Sequence, residues 1–236
     1  MVPRLLVFDL DGTLIDSQID LSNSINAMLV HLGRPELPHA VIASYIGNGA
    51  SMLVRRALGD PEGDVHDDAF VSGALEYFLD YYRVHKLDFT YVYAGVVEAL
   101  DAIRAEYPGV AMAVLTNKPV RPSRDICAHF GLDRYFFQNY GGNSFHTKKP
   151  DPTGLRALIA EASAVAAAPI GAAETVMIGD SDVDVLTARN CGARSVGCSY
   201  GLAPHTLAAA RPDVVAGSPA AWPETLRVLA ESTVAG

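Results

Sequence analysis

The stretch LLVFDLDGTLIDS, residues 5–17, decides the fold of this chain. Its first four residues are apolar with no polar alternation, which is typical of a strand buried on both faces of a parallel sheet. The strand ends on Asp9 and Asp11, and Gly12 then turns the chain. Because ligands bind at this edge of open parallel sheets, two adjacent carboxylates there indicate a divalent cation or a shared proton. A plain Asp-Gly turn between a strand and a helix is the alternative.

Composition favours one large or two smaller globular domains. The chain has 236 residues, of which 50% are hydrophobic, so it can bury a sizeable core. Its formal net charge is −9 and its basic residues are scattered. This balance argues against nucleic acid or an anionic membrane surface as a partner.

The cysteines and the N-terminal segment predict a cytoplasmic protein. Cys127, Cys191 and Cys198 are far apart and form no CxxC pair, which is typical of reduced thiols in a cytosol. The N-terminal apolar run is broken by Asp9 and is too short for a secretory signal or a membrane span.

Strands and helices alternate along most of the chain, which predicts an α/β fold with a parallel sheet and right-handed crossovers. The predicted strands are residues 5–8, 110–116, 175–179, 195–198 and 213–216. The predicted helices between them are residues 96–105, 122–130 and 151–162. One interruption follows the first strand, where helical periodicity without a convincing strand predicts a helical insert over residues 17–88.

Polar residues follow the second core strand, in the segment VLTNKP. Thr116, Asn117 and Lys118 lie at its carboxyl end, where a hydroxyl and backbone N–H groups can hold a phosphate oxygen. Capping of the following helix by Thr116 is the alternative interpretation.

A loop with two lysines, TKKPDP, precedes the next predicted helix. Asp151 and Pro152 are typical of a helix start, so the lysines lie in the loop just before it. We expect Lys149, beside Pro150, to reach a central site, and Lys148 to be solvated.

The segment MIGDSDVDV adds carboxylates to the same edge. Asp180 follows an apolar strand, and Asp184 lies about one turn further along on the same side. Ser181 or Asp182 can cap the following helix, and Asp182 is predicted to face solvent. Since no His or Cys cluster accompanies these carboxylates, they favour Mg²⁺ over zinc.

In this order, DLDGT, VLTN, KKPDP and GDSDVD resemble the four motifs of the haloacid dehalogenase-like hydrolase superfamily. The resemblance covers nearly the whole chain. It implies a Rossmann-like doubly wound parallel sheet as the core, residues 1–16 and 89–236, with an inserted α-helical cap domain, residues 17–88. Residues 46–58, 141–155 and 192–202 are similar to bacterial phosphoglycolate phosphatases, although Ala94 stands where those enzymes typically have proline.

The resemblance implies a Mg²⁺-dependent phosphatase that hydrolyses a small phosphate monoester through an aspartyl-phosphate. Asp9 would be the nucleophile, and Asp11 would act first as the acid and then as the base. Thr116, Asn117 and Lys149 would bind the phosphate oxygens. The implied catalytic residues are Asp9, Asp11, Thr116 and Lys149. The metal site would comprise Asp9, Asp11 through its backbone carbonyl, Asp180 and Asp184, with Asp184 holding either the waters of the metal or the lysine.

The helical insert is predicted to recognise the leaving group, because the rest of the chain is committed to phosphate chemistry. Gly47 and Gly49 would let the backbone approach the ligand, and Arg56 would pair with a carboxylate. A helix-start turn and a solvated arginine are the respective alternatives. The expected partner is a small phosphorylated metabolite, 2-phosphoglycolate, bound by a monomer or homodimer.

Other interpretations stay open at this point. One is a phosphatase of another small metabolite, such as a sugar phosphate, a nucleotide or pyrophosphate. A second is a phosphomutase similar to β-phosphoglucomutase, and a third is a non-catalytic domain that binds a phosphorylated ligand. A dehalogenase is disfavoured because it lacks the second carboxylate, which is present here as Asp11.

Overall fold

The computed structural model describes residues 2–232, so residue 1 and residues 233–236 of the predicted core range lie outside the described part. The strands are β1 (Leu5–Phe8), β2 (Ile15–Asp16), β3 (Tyr91–Val92), β4 (Ala111–Leu115), β5 (Gln138–Tyr140), β6 (Thr175–Gly179), β7 (Arg194–Cys198) and β8 (Val214–Ala216). The α-helices are α1 (Gln18–His31), α2 (His39–Ala43), α3 (Ala50–Ala57), α4 (Asp68–His85), α5 (Val96–Glu106), α6 (Val120–His129), α7 (Thr153–Val165), α8 (Asp182–Cys191), α9 (Leu207–Ala210) and α10 (Trp222–Ser232).

Six parallel strands form the central sheet in the order β5-β4-β1-β6-β7-β8. The order reverses on either side of β1, which is the doubly wound arrangement that leaves a crevice at the carboxyl edge. Phe8 pairs with Val114 on one neighbour and with Ile178 on the other. This register brings the ends of β1, β4 and β6 to the same level. The α/β, Rossmann-like class predicted from the sequence is confirmed.

Helices cover both faces of the sheet, as the apolar β1 requires. Leu6 and Phe8 pack into a cluster with α5, α6 and α10, in which Trp222 is fully buried. Leu5 and Val7 point to the other face and pack against α7 and α8. Alternate residues of one strand therefore contribute to two separate hydrophobic cores. Within residues 2–232, no helix combines the length and the apolar character that crossing a bilayer requires.

Helices α1 to α4 pack around a hydrophobic cluster of their own, which includes Ile25, Met28, Val54 and Phe78. Residues 17–88 are all described and contain no strand. This part of the chain is called the helical insert below. It has its own core, as the domain prediction requires, but the proposed boundaries themselves stay a prediction.

The two connections of the helical insert are tied together. β2 leads into it and pairs in antiparallel fashion with β3, which leads out. Asp20, in the first turn of α1, is buried and accepts hydrogen bonds from the backbone N–H groups of Phe89 and Thr90 and from the Thr90 hydroxyl. One carboxylate thus joins segments about 70 residues apart in sequence. The chain leaves and re-enters the sheet domain at one place.

Candidate active site

Three buried carboxylates meet at the crevice of the sheet. Asp9 follows β1, Asp180 follows β6, and Asp184 lies in the first turn of α8. One oxygen from each lies within 4.8 Å of the other two. The parallel register of β1 and β6 produces this meeting, because it brings both strand ends to one edge.

Asp184 is held by the start of its own helix. Its Oδ2 accepts hydrogen bonds from the backbone N–H of Ser181 at 3.2 Å and from the Ser181 hydroxyl at 2.8 Å. This is the reciprocal cap that a serine and an acidic residue three positions later form at a helix start. Ser181, rather than Asp182, is therefore the N-cap. The cap leaves Oδ1 of Asp184 to face Lys149.

Asp180 is held by backbone. Its Oδ2 accepts hydrogen bonds from the N–H groups of Leu202 at 2.7 Å and Ala203 at 3.0 Å. Gly12 has a φ of +82°, and a Cβ atom there would lie 2.2 Å from this same oxygen. A Cβ atom at Gly201 would lie 2.3 Å from the Asp180 Cβ. Both glycines are needed because the main chain presses directly against the carboxylate.

Lys149 bridges two of the three carboxylates. Its Nζ lies 3.0 Å from Oδ1 of Asp9 and 2.6 Å from Oδ1 of Asp184, and its side chain is 1% exposed. Burial alone would lower the lysine pKa, but the two carboxylates outweigh that effect and raise it. Lys149 is therefore a permanent cation at the base of the site.

The charge of the cluster fits a divalent cation. Burial raises the pKa of Asp9 to about 6 although Lys149 opposes it, and burial with the charges of Asp184 and Asp9 raises the pKa of Asp180 to about 8. Three carboxylates thus face one lysine. Since one positive charge cannot neutralise three negative ones, Asp9 and Asp180 hold protons more tightly than an exposed aspartate does. The hydrogen bonds described occupy Oδ1 of Asp9 and Oδ2 of Asp180, which leaves the other oxygen of each as a hard ligand.

We expect the metal-free protein to lose stability as the pH rises from about 5 to 8.5. Asp9 and Asp180 bind protons in the folded state with pKa values of about 6 and 8, against 3.8 as the ordinary value. At pH values between 3.8 and the folded-state pKa of each group, the folded protein holds a proton that the unfolded chain has released. The free energy of unfolding therefore falls as the pH rises toward the folded-state pKa values. Melting temperatures in EDTA at pH 5, 7 and 8.5 would measure this. Asp180→Asn should flatten the slope; an unchanged slope in that variant would contradict the assignment.

Asp11 does not join the three buried carboxylates. Its side chain is 13% exposed and accepts hydrogen bonds from the Ser17 hydroxyl and from Nζ of Lys118, which lies 2.8 and 3.1 Å from its two oxygens. This position suits a group that exchanges protons with a ligand rather than one that binds metal through its carboxylate. The sequence predicts Lys118 at this strand end without a role for its side chain. Its place directly after Thr116 and Asn117 was the available signal.

Thr116 and Asn117 lie where the sequence predicts them, buried at the carboxyl end of β4. The Thr116 hydroxyl accepts a hydrogen bond from the backbone N–H of Lys118. The Asn117 amide donates at 3.1 Å to the carbonyl oxygens of both Gly47 and Lys149. Asn117 therefore connects the helical insert to the lysine loop. Its Oδ1 is buried and has no hydrogen-bond partner among residues 2–232.

A cleft lies between the helical insert and the carboxyl edge of the sheet. It is lined by Asp9, Asp11, Leu21, Ile46, Gly47, Gly49, Ala50, Leu53, Phe78, Leu79, Tyr82, Thr116, Asn117, Lys118 and Pro119. Gly49 has a φ of +87°, and a Cβ atom there would lie 2.9 Å from the Asn117 carbonyl oxygen, so a side chain at this position would push the insert away. Arg56 is not among the lining residues and donates to the Tyr45 carbonyl oxygen at 2.9 Å. Its pairing with a substrate carboxylate stays a prediction.

Comparison with known proteins shows the family of this chain. The sequence model of the haloacid dehalogenase-like hydrolases matches residues 6–198. The chain belongs to this family. The predicted superfamily is therefore confirmed, and the match includes the ends of β1, β4 and β6 on which the site is built.

Several relatives cover most of the chain. A phosphoglycolate phosphatase of Pseudomonas fluorescens (strain Pf0-1) is 41% identical over 202 residues, which are 85% of this chain and 71% of that protein. A phosphoglycolate phosphatase of Vibrio parahaemolyticus is 35% identical over 233 residues, 97% of each chain. The crystal structure of a predicted phosphoglycolate phosphatase from Haemophilus somnus 129PT has a TM-score of 0.83 at 28% identity and covers 94% of this chain and 97% of that one. The resemblance to phosphoglycolate phosphatases is thus confirmed over the helical insert as well as the sheet domain.

Proposed function

We propose that this haloacid dehalogenase-like hydrolase is a Mg²⁺-dependent phosphoric monoester hydrolase that acts on 2-phosphoglycolate through an aspartyl-phosphate on Asp9. The observation that carries the proposal is the contact of Lys149 with Asp9 and Asp184 beside Asp180, buried at the crevice of the sheet. The substrate is taken from the names of the two relatives, which are at least 35% identical to this chain.

Asp9, Asp180, Asp184 and the backbone carbonyl of Asp11 would hold the Mg²⁺ ion. When bound, the ion supplies positive charge that offsets the repulsion between the Asp9 carboxylate and an incoming phosphate. Asp184 already receives Lys149 on one oxygen and Ser181 on the other. Its main contribution in this proposal is therefore to hold Lys149 in place.

Asp9 attacks phosphorus, and the P–O bond to the leaving group breaks as the new bond to the carboxylate forms. Thr116 and Asn117 line the cleft and Lys149 contacts Asp9, and these three residues would bind the oxygens on which negative charge spreads. Lys149 also orients Asp9 through its 3.0 Å contact with Oδ1. Because Lys149 is fixed by Asp184 as well, it needs no rearrangement when the phosphate arrives.

Asp11 gives a proton to the leaving alkoxide and then, as a carboxylate, takes one from the water that attacks the aspartyl-phosphate. Its location favours this role, because it lines the cleft two residues after Asp9 and is more exposed than the metal-facing carboxylates. Ser17 and Lys118 fix its orientation. Neither of them lies against Asp180 or Asp184 in the described contacts.

The proposal also includes the cellular setting. The three free cysteines suit a reducing cytoplasm, which is where we place the enzyme. Its partner is a small phosphorylated metabolite, and a monomer or homodimer stays the prediction for its assembly.

The test is phosphate release from 2-phosphoglycolate, a hexose phosphate, a nucleoside monophosphate and pyrophosphate, with and without Mg²⁺. We expect 2-phosphoglycolate to give the highest kcat/KM. We also expect Asp180→Ala to raise the Mg²⁺ concentration for half-maximal activity at least about tenfold, equivalent to about 1.4 kcal/mol. Asp182→Ala is the matched control, because Asp182 is outside the carboxylate cluster.

Two results would contradict these statements separately. Full activity of EDTA-treated protein would refute the proposed dependence of phosphate release on Mg²⁺. A hexose phosphate or nucleotide hydrolysed well ahead of 2-phosphoglycolate would overturn the substrate and leave the phosphatase activity in place.

A further inference from the structure

The insert side of the cleft is apolar. The larger side chains that line the cleft on this side are Leu21, Ile46, Leu53, Phe78, Leu79 and Tyr82, and of these only Tyr82 carries a polar group, its hydroxyl. Among the described residues that line this cleft, Lys118 is the one cation, and it comes from the sheet domain. An anionic leaving group that enters the cleft would therefore find its counter-charge at Lys118.

Lys118 lies on the leaving-group side of the proposed reaction. Its Nζ contacts both oxygens of Asp11, the group that protonates the leaving oxygen. In 2-phosphoglycolate one methylene separates that oxygen from the carboxyl carbon, so a cation beside Asp11 is within reach of the carboxylate. Lys149 is not placed for this purpose, because it is not among the residues that line the cleft and it contacts Asp9 and Asp184 rather than Asp11.

Tyr82 provides a second polar group at the same place. Its ring centroid lies 4.7 Å from Nζ of Lys118. Its hydroxyl is buried, and no residue among 2–232 accepts a hydrogen bond from it. A buried donor without an acceptor costs free energy, which an anionic ligand oxygen at this position would recover.

We propose that Lys118, assisted by the Tyr82 hydroxyl, binds the carboxylate of the leaving group and is the specificity-determining residue of the enzyme. This inference rests on the proposed phosphatase function and names its substrate class: short phosphate esters with a carboxylate next to the ester carbon. Sugar phosphates are disfavoured, because the apolar wall of the insert would leave their hydroxyl groups without hydrogen-bond partners. This proposal gives Lys118 the carboxylate-binding role that the sequence predicts for Arg56.

The test compares two substrates that differ in the carboxylate alone. In 2-hydroxyethyl phosphate a neutral hydroxymethyl group replaces the carboxylate, while the leaving group remains an alkoxide that needs Asp11. We expect Lys118→Met to lower the ratio of kcat/KM for 2-phosphoglycolate to that for 2-hydroxyethyl phosphate by about 100-fold, largely through KM, since loss of one partner of a buried charge pair has effects of this size. Lys118→Arg should retain most of the ratio.

Two further variants keep the test independent of folding. Tyr82→Phe keeps the ring and removes only the hydroxyl, and we expect it to lower the same ratio about tenfold. Lys148→Met is the matched control: Lys148 is exposed, donates to the Asn48 carbonyl oxygen and should leave the ratio unchanged. Melting temperatures would show that each variant is folded.

The outcomes separate the inference from the function on which it rests. Equal losses for both substrates in Lys118→Met would mean that Lys118 acts through Asp11, and would overturn the inference alone. A fall of the ratio in Arg56→Ala or Lys148→Met, with none in Lys118→Met, would assign the carboxylate to those residues instead. A wild-type protein that releases phosphate from neither substrate would refute the proposed function itself.

Discussion

An Asp9→Asn variant is expected to fold normally and to retain less than about one-thousandth of the wild-type turnover of 2-phosphoglycolate. The amide fills nearly the same volume but cannot attack phosphorus, and removal of a catalytic nucleophile has effects of this order or larger. Folding should be largely unaffected because burial, which raises the pKa of Asp9 to about 6, disfavours the charged form, and a neutral amide at this position avoids that cost. Lys149 keeps its shorter contact with Asp184.

Phosphate release and the melting temperature would be measured on the same preparation, with mass spectrometry to exclude deamidation back to aspartate. Asp182→Asn, which changes a partly exposed carboxylate on α8, is the control and should keep full activity. Turnover above a few per cent of wild type in deamidation-free Asp9→Asn protein would refute the nucleophile assignment.

A Lys149→Met variant is expected to lose both stability and activity. Without the ammonium, three buried carboxylates have no cation among the described residues that contact them, and breaking a buried ion pair costs about 3 kcal/mol or more. Activity should fall about 10²- to 10³-fold or more, since a charge directed at the transferred phosphate is lost along with the orientation of Asp9. Denaturant unfolding in EDTA and phosphate release would measure the two effects.

The control for this variant is Lys148→Met, one position earlier and exposed, which should change stability by less than about 1 kcal/mol. The loss in Lys149→Met should also shrink at acidic pH, where the carboxylates take up protons. A variant as stable as wild type in EDTA at pH 8 would show that Lys149 does not neutralise the cluster.

The fold was predictable where burial dictates composition. β1 and β6 have the predicted bounds, because strands buried on both faces are continuous apolar runs with sharp ends. β5 was missed because it is the edge strand Gln138–Tyr140, half-buried and polar, and only its pairing with β4 makes it a strand. The two-residue strands β2 and β3 carry no periodicity at all. Helix bounds differ from the predictions by a few residues, as is usual at frayed ends.

The site was predictable where strand ends define it, and less so where side-chain direction does. That Asp9 and Asp180 should meet follows from the parallel sheet rule, and the structure brings them together with Asp184. Lys118 points toward Asp11 because of the loop conformation after β4, and no sequence motif predicts that conformation. Likewise, the hydrogen bond from Asn117 to Gly47 joins residues 70 positions apart and exists only because the helical insert docks on the sheet.

The paired connections of the helical insert determine how it can move. β2 and β3 are hydrogen-bonded to each other, and Asp20 fastens the returning chain to α1, so the two connections cannot separate or slide independently. We therefore expect the insert to move as one rigid body about this strand pair. Opening breaks the hydrogen bonds from Asn117 to Gly47 and from Lys148 to Asn48, each with a net cost of about 1 kcal/mol. We expect product release to follow such a rotation rather than the unfolding of a loop.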